Sequence, residues 1–138
     1  MNTKETVETL MNDGISFAKE MLEKYGEFHP YGRSMNHHGA IANVSAYDGD
    51  EYPPGAELLG LLENGLRQKV RSDQDIAIAT FTNVSLRDEQ GEAIDAVQVG
   101  LEHKDGYSIN VYYPFTIDNG EVSFGELIAM EREPNVFV

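Results

Sequence analysis

Four histidines and a large excess of carboxylates hold whatever chemistry this chain could perform. Imidazole titrates near neutral pH and ligates metals, so His29, His37, His38 and His103 come first. His37 and His38 fall in Asn36-His37-His38-Gly39, which reads as a hairpin tip, with His29 lower on the same hairpin. A catalytic zinc centre takes three protein ligands, each oriented by an outer partner. His29, His37 and His38 with Asp48 and Asp50 are the candidate metal set, and a small metal-dependent hydrolase would draw on these histidines with Asp48 or Glu51. Adjacent histidines in a loop are expected to point apart, which makes a poor chelate. Surface histidines that titrate freely are therefore the simpler expectation, with no cofactor.

The remaining motifs exclude more than they support. Asp48-Gly49-Asp50-Glu51 matches only the opening of a calcium loop, and Pro53-Pro54 breaks the spacing that the later ligands need. There is no cysteine and no Gly-x-Ser-x-Gly elbow, so Ser34, Ser45 and Ser72 read as ordinary polar positions. The Gly55–Gly60 stretch lacks the Lys-Ser/Thr ending of a phosphate loop. Acid pairs are everywhere in so acidic a chain and discriminate nothing. The balance leans away from an enzyme. Arg33 beside Tyr31, near His37 and His38, makes the first hairpin a candidate recognition surface, although a lone Arg on an edge strand is more often a surface ion pair.

The elements that must position these residues are legible from periodicity. Val7, Leu10, Met11, Ile15, Ala18, Met21, Leu22 and Tyr25 recur at helical spacing, which predicts a helix over 3–25. Asn2 with Glu5 reads as its capping box and Gly26 as its left-handed stop, while Gly14 weakens the middle. A hairpin is expected over 27–47, with Pro30 marking an edge or a late start. A second amphipathic helix follows over 55–71, in which Gly60 and Gly65 cost about 1 kcal/mol each against alanine and suggest close packing.

The stretch 74–130 reads as four antiparallel strands. Tyr107, Ile109, Val111, Tyr113, Phe115 and Ile117 alternate with polar positions. Asn119-Gly120 suits a two-residue type I′ turn, setting Ile117 opposite Val122, Phe115 opposite Phe124 and Val111 opposite Ile128. A three-residue loop, Lys104-Asp105-Gly106, pairs Leu101 with Ile109 and Val99 with Val111. A four-residue loop over 88–91 would set Arg87 opposite Glu92 and Ile78 opposite Leu101. Pro114, inside a strand, calls for a bulge or a neighbour that stops short. The second face, with Ala77, Ala79, Phe81, Ala96, Gly100, Tyr112, Leu127 and Ala129, is either solvated or a dimer or partner surface, and Tyr112 joins Tyr31, Arg33, His37 and His38 as a binding candidate.

The order α-β-β-α-β-β-β-β makes this a single α+β domain over 1–138, two helices packed on an antiparallel sheet that ends in a four-stranded meander. That order is similar to roadblock and profilin-like domains, and loosely to small acidic secretion chaperones. The stretch Gly26-Glu27-Phe28-His29-Pro30-Tyr31-Gly32, the turn His103-Lys104-Asp105-Gly106, the pair Pro114-Phe115 and the tail Glu133-Pro134-Asn135-Val136-Phe137 resemble a group of small, acidic bacterial proteins with no assigned function. The resemblance implies a bacterial cytoplasmic protein and brings no catalytic motif.

At 138 residues, with 41% hydrophobic content, the chain can bury a core. No apolar leader or membrane-length run is present, so a cytoplasmic location away from membranes is expected. Asn43-Val44-Ser45 and Asn83-Val84-Ser85 match the glycosylation sequon but lie in expected strands. A net charge of −14 disfavours nucleic acid and steers the chain toward a basic partner. The leading expectation is a non-catalytic protein-binding module, such as an acidic inhibitor or immunity-type protein. The alternatives are the metal-dependent hydrolase and a homodimeric secretion-type chaperone.

Overall fold

A computed structural model describes residues 2–45 and 55–138, so Asp48, Asp50 and Glu51 lie outside the described residues. Helix α1 (Thr3–Tyr25) starts where the Asn2 side chain accepts the Glu5 N–H at 2.8 Å. It stops where Gly26, at φ +75°, donates to the Leu22 carbonyl at 2.9 Å. Its neighbours in sequence are β1 (Tyr31–Asn36) and β2 (Ile41–Ser45), followed by α2 (Gly55–Ser72). Five strands complete the chain: β3 (Asp75–Arg87), β4 (Ala93–His103), β5 (Ser108–Asp118), β6 (Glu121–Phe124) and β7 (Ile128–Glu131). The sheet runs β2-β1-β3-β4-β5-β6, all antiparallel, with β7 also paired to β5. This is the α+β architecture that the periodicity implies.

One turn recurs three times and sets the register. In His37-His38-Gly39, Glu89-Gln90-Gly91 and Lys104-Asp105-Gly106 the glycine has positive φ, and its N–H donates three residues back at 3.0 Å. Glycine adopts that φ without the Cβ clash that penalises other residues. Asn36 and Asp88 reinforce their loops, each side chain accepting the N–H groups two and four residues on. Leu101 meets Ile109 and Val99 meets Val111, as expected. The loop after β3 is also this three-residue type, which corrects the four-residue expectation: Arg87 lies opposite Ala93, and Ile78 opposite Glu102.

That single-residue difference reassigns a whole strand, because successive strand residues point to opposite faces. Ala77, Ala79 and Phe81 share the core of α1 with Val97, Val99, Leu101, Val111, Tyr113 and Phe115. Ile78 turns the other way and packs with Leu62 and Leu66 of α2 and with Val136. The two helices therefore cover opposite faces. Gly14 of α1 is the seat of the Phe81 ring, since a Cβ there would lie 2.2 Å from its Cζ. Gly60 and Gly65 face open space, so close packing is not their role.

Opposite Pro114 of β5 the expected last strand is divided into β6 and β7. The Gly125 N–H donates to the Pro114 carbonyl at 2.7 Å, so the missing proline N–H faces the same side, where β6 ends. Phe115–Phe124 and Ile117–Val122 pair as expected. Beyond the break the chain resumes one residue out of step: Val111 meets Ala129, and Tyr112 meets Ile128. The expected Val111–Ile128 pair is lost. Ile128 and Met130 turn away from the α1 core, and the meander has five strands rather than four.

Candidate functional site

The first hairpin separates into a rigid base and an exposed tip. Tyr31 is buried in the α1 core, its ring stacked on Phe81 at 4.8 Å and its hydroxyl donating to the Gly14 carbonyl at 2.7 Å. Burial pushes this phenol well above its usual range. Arg33 is buried as well. It pairs with Asp13 of α1 at 3.0 Å and donates to the Gly32 carbonyl at 3.1 Å, with its guanidinium 5.2 Å from the Tyr31 ring. Both side chains join β1 to α1. His37 and His38 are exposed at the tip, and their rings lie 4.0 Å apart rather than pointing away from each other.

His29 is exposed ahead of β1, and His103 is buried at a turn where its Nδ1 accepts the Asp105 N–H at 3.1 Å. Among the described residues no three His, Asp or Glu side chains gather as a metal-binding group.

The face under α2 holds the groups that sequence reasoning missed. Glu102 is 0% exposed in the middle of the sheet, yet its carboxylate is fully satisfied. Oε2 accepts from Arg132 Nη2 and the Asn135 N–H at 2.9 Å each. Oε1 accepts the N–H groups of Val136 at 2.9 Å and Phe137 at 3.0 Å. Three successive amides and a guanidinium occupy the four lone-pair directions of one carboxylate. Gly100 makes room for this arrangement, because a Cβ there would fall 1.7 Å from Arg132 Nη1. Arg67 of α2 donates to the Asn135 carbonyl, so the C-terminal tail is clasped from both sides. A lone Glu in an alternating strand gives no sign of burial; the only hint was Gly100 beside it, where a strand side chain is missing.

Beside this clasp a cleft of about 250 Å³ opens between α2, the sheet and the tail. Thr80, Thr82, Gln98 and Asn110 line its floor, with Glu63 and Glu133 on its walls. Arg132 is already engaged, bonded to Glu102, 3.2 Å from the Asn110 Oδ1 and 3.7 Å from Glu63.

Past the cleft the face is more exposed among the described residues. Among the described strands α2 packs mainly on β1, β2 and β3, which leaves Tyr112 with Ile128 and Met130, which are 47% and 57% exposed. Among the described residues no strand lies outside β7, so that edge presents unpaired backbone groups. Exposed Glu126 and Glu131 flank the apolar pair, and from Asp118 onward five acidic residues face one basic one, Arg132. Of the sequence candidates, Tyr112 belongs to this surface, whereas Tyr31, Arg33, His37 and His38 do not.

Comparisons with known protein families, curated proteins and solved structures gave no match. Among the described residues no helix is long and apolar enough to cross a membrane.

Proposed function

We propose that this protein is a non-catalytic binding module that takes a basic, extended segment of another protein along the β7 edge. The observation that carries the reading is an exposed strand edge bearing Ile128 and Met130 between Glu126, Glu131 and Glu133. Soluble chains usually blunt such an edge with lysine, proline or a covering element. Here the flanking charges are carboxylates, and the whole chain carries −14. An added strand gains affinity from main-chain hydrogen bonds and specificity from alternate side chains. Carboxylates beside the edge favour a partner whose alternate residues are apolar and cationic. They also oppose pairing with a second copy of this acidic chain. An acidic inhibitor of a basic protein is one form such a module takes.

The test is affinity capture from the host lysate at low and at high salt, using the wild type and the I128D/M130D double variant. A basic protein retained by the wild type, lost at high salt and lost by the variant is the expected result. Two added aspartates raise the negative charge, so an association driven by charge alone would tighten. Equal or stronger capture by the variant overturns the reading.

A further inference from the structure

We propose that the cleft beside Arg132 seats one arginine side chain of the docked segment, an inference that rests on the binding reading above. The cleft adjoins the exposed edge directly, because Asn110 lines it and pairs with Met130. At about 250 Å³ it falls below the roughly 300–1,000 Å³ of sites for drug-sized ligands and suits a single long side chain. Its lining offers acceptors that nothing in the chain uses. Thr80 is 4% exposed and lines the cleft, yet its hydroxyl has no hydrogen-bond partner among the described residues. The Thr82, Gln98 and Glu133 side chains are likewise unbonded there.

The electrostatics select a cation. Glu63 and Glu133 line the cleft, Glu63 lies 3.7 Å from the Arg132 guanidinium, and Arg132 is committed to the buried Glu102 at 2.9 Å. Among the described lining residues Arg132 is the one cation, and it is already paired with a carboxylate, while Glu63 and Glu133 would repel an anion. An incoming guanidinium has five N–H donors in a planar fork and no acceptor, which matches a site of carboxylates, hydroxyls and an amide oxygen. Leu59 on the α2 wall would cover the methylene stem.

The experiment titrates the full chain by calorimetry with an octapeptide of alternating valine and arginine. A second octapeptide carries citrulline, whose urea group has the shape of guanidinium without its charge. The arginine peptide is expected to bind at least tenfold more tightly. T82R places a cation in the cleft and should reduce arginine-peptide affinity to the citrulline level. S16R makes the same charge change on the exposed side of α1 and should alter affinity less than twofold. E133Q, on the exposed tail, should weaken the arginine peptide several-fold with no demand on folding.

Equal affinity for both peptides, or equal effects of T82R and S16R, overturns the proposal. Agmatine binding as tightly as the peptide would assign the cleft to a free guanidinium compound and also overturns it. I128D/M130D should abolish binding of both peptides. If it leaves them unchanged while T82R still discriminates, the edge-docking reading fails and the guanidinium site survives.

Discussion

The two faces of the sheet are built on different principles. Under α1 the packing is continuous and apolar, from Val7 and Leu10 to Val99, Val111 and Phe115, with Tyr31 and Arg33 tied into it. Under α2 a smaller cluster of Leu62, Leu66, Ile78 and Val136, with Val44, Leu59, Val70 and Phe137 packed against it, lies next to a buried ion pair, a polar cleft and an exposed edge. Hydrophobic burial is non-directional and roughly additive in area, so the α1 face supplies most of the driving force. A buried ion pair adds little net stability but is costly to break. Among the described residues the α1 face carries the larger apolar core, and the other face is the more polar and the more exposed.

The sharpest way to break this contrast is to remove the carboxylate under the tail. Glu102→Ala strands a buried Arg132 and deprives three backbone N–H groups of their acceptor. Breaking a buried pair from one side costs about 3–5 kcal/mol. Urea unfolding should show a loss of that size, and Glu102→Gln a smaller one, since its amide keeps an acceptor oxygen. A loss below about 1 kcal/mol from the alanine variant would mean that the carboxylate does not hold the tail.

Two glycine substitutions, one in each helix, test the contrast with opposite signs. Gly14→Ala drives a methyl into the Phe81 ring and should destabilise by about 1–3 kcal/mol. Gly65→Ala meets nothing within 4 Å and should stabilise by about 0.5–1 kcal/mol through helix propensity. Thermal melts of the two variants should move in opposite directions. A neutral Gly14→Ala would show that the α1–β3 contact is looser than its geometry.

Both helices, the first hairpin and most pairings were legible because they rest on local signals: a 3.6-residue stripe, an Asn-Gly turn, a strict alternation. The errors came from single-residue steps. Asp88-Glu89-Gln90-Gly91 carries the same Asx-x-x-Gly pattern as Asn36-His37-His38-Gly39, and reading both as one turn would have placed Phe81 under α1. Pro114 announced an interruption, but its effect depended on how many residues the break inserts, which hydrophobic pattern alone does not fix. The Glu102–Arg132 clasp was illegible, since its partners lie 30 residues apart and their meeting depends on where the tail returns. Tyr112 lies opposite Ile128, and its side of the sheet was legible because it needed only the alternation of β5.

A weaker tie at the far end of α1 sharpens the comparison from the other side. The Thr3 hydroxyl donates to the Asp105 carboxylate at the β4–β5 turn, and the same side chain accepts the Tyr107 N–H at 3.0 Å. The Thr3 bond first, then the Tyr107 N–H, holds this exposed carboxyl below its ordinary value of 3.8. A folded value below the unfolded one means that the contribution is complete above that pH and is lost as pH falls through the folded value. Thr3→Ala removes the larger cause. The wild type should therefore exceed Thr3→Ala in urea midpoint at pH 6, with the charge-dependent part of the gap narrowing below about pH 4. Solvent screening at an exposed site keeps this the smallest of the effects. A gap that does not change with pH would assign the contact to the neutral hydroxyl alone, and the Asp13–Arg33 pair would then be the charged tie between α1 and the sheet.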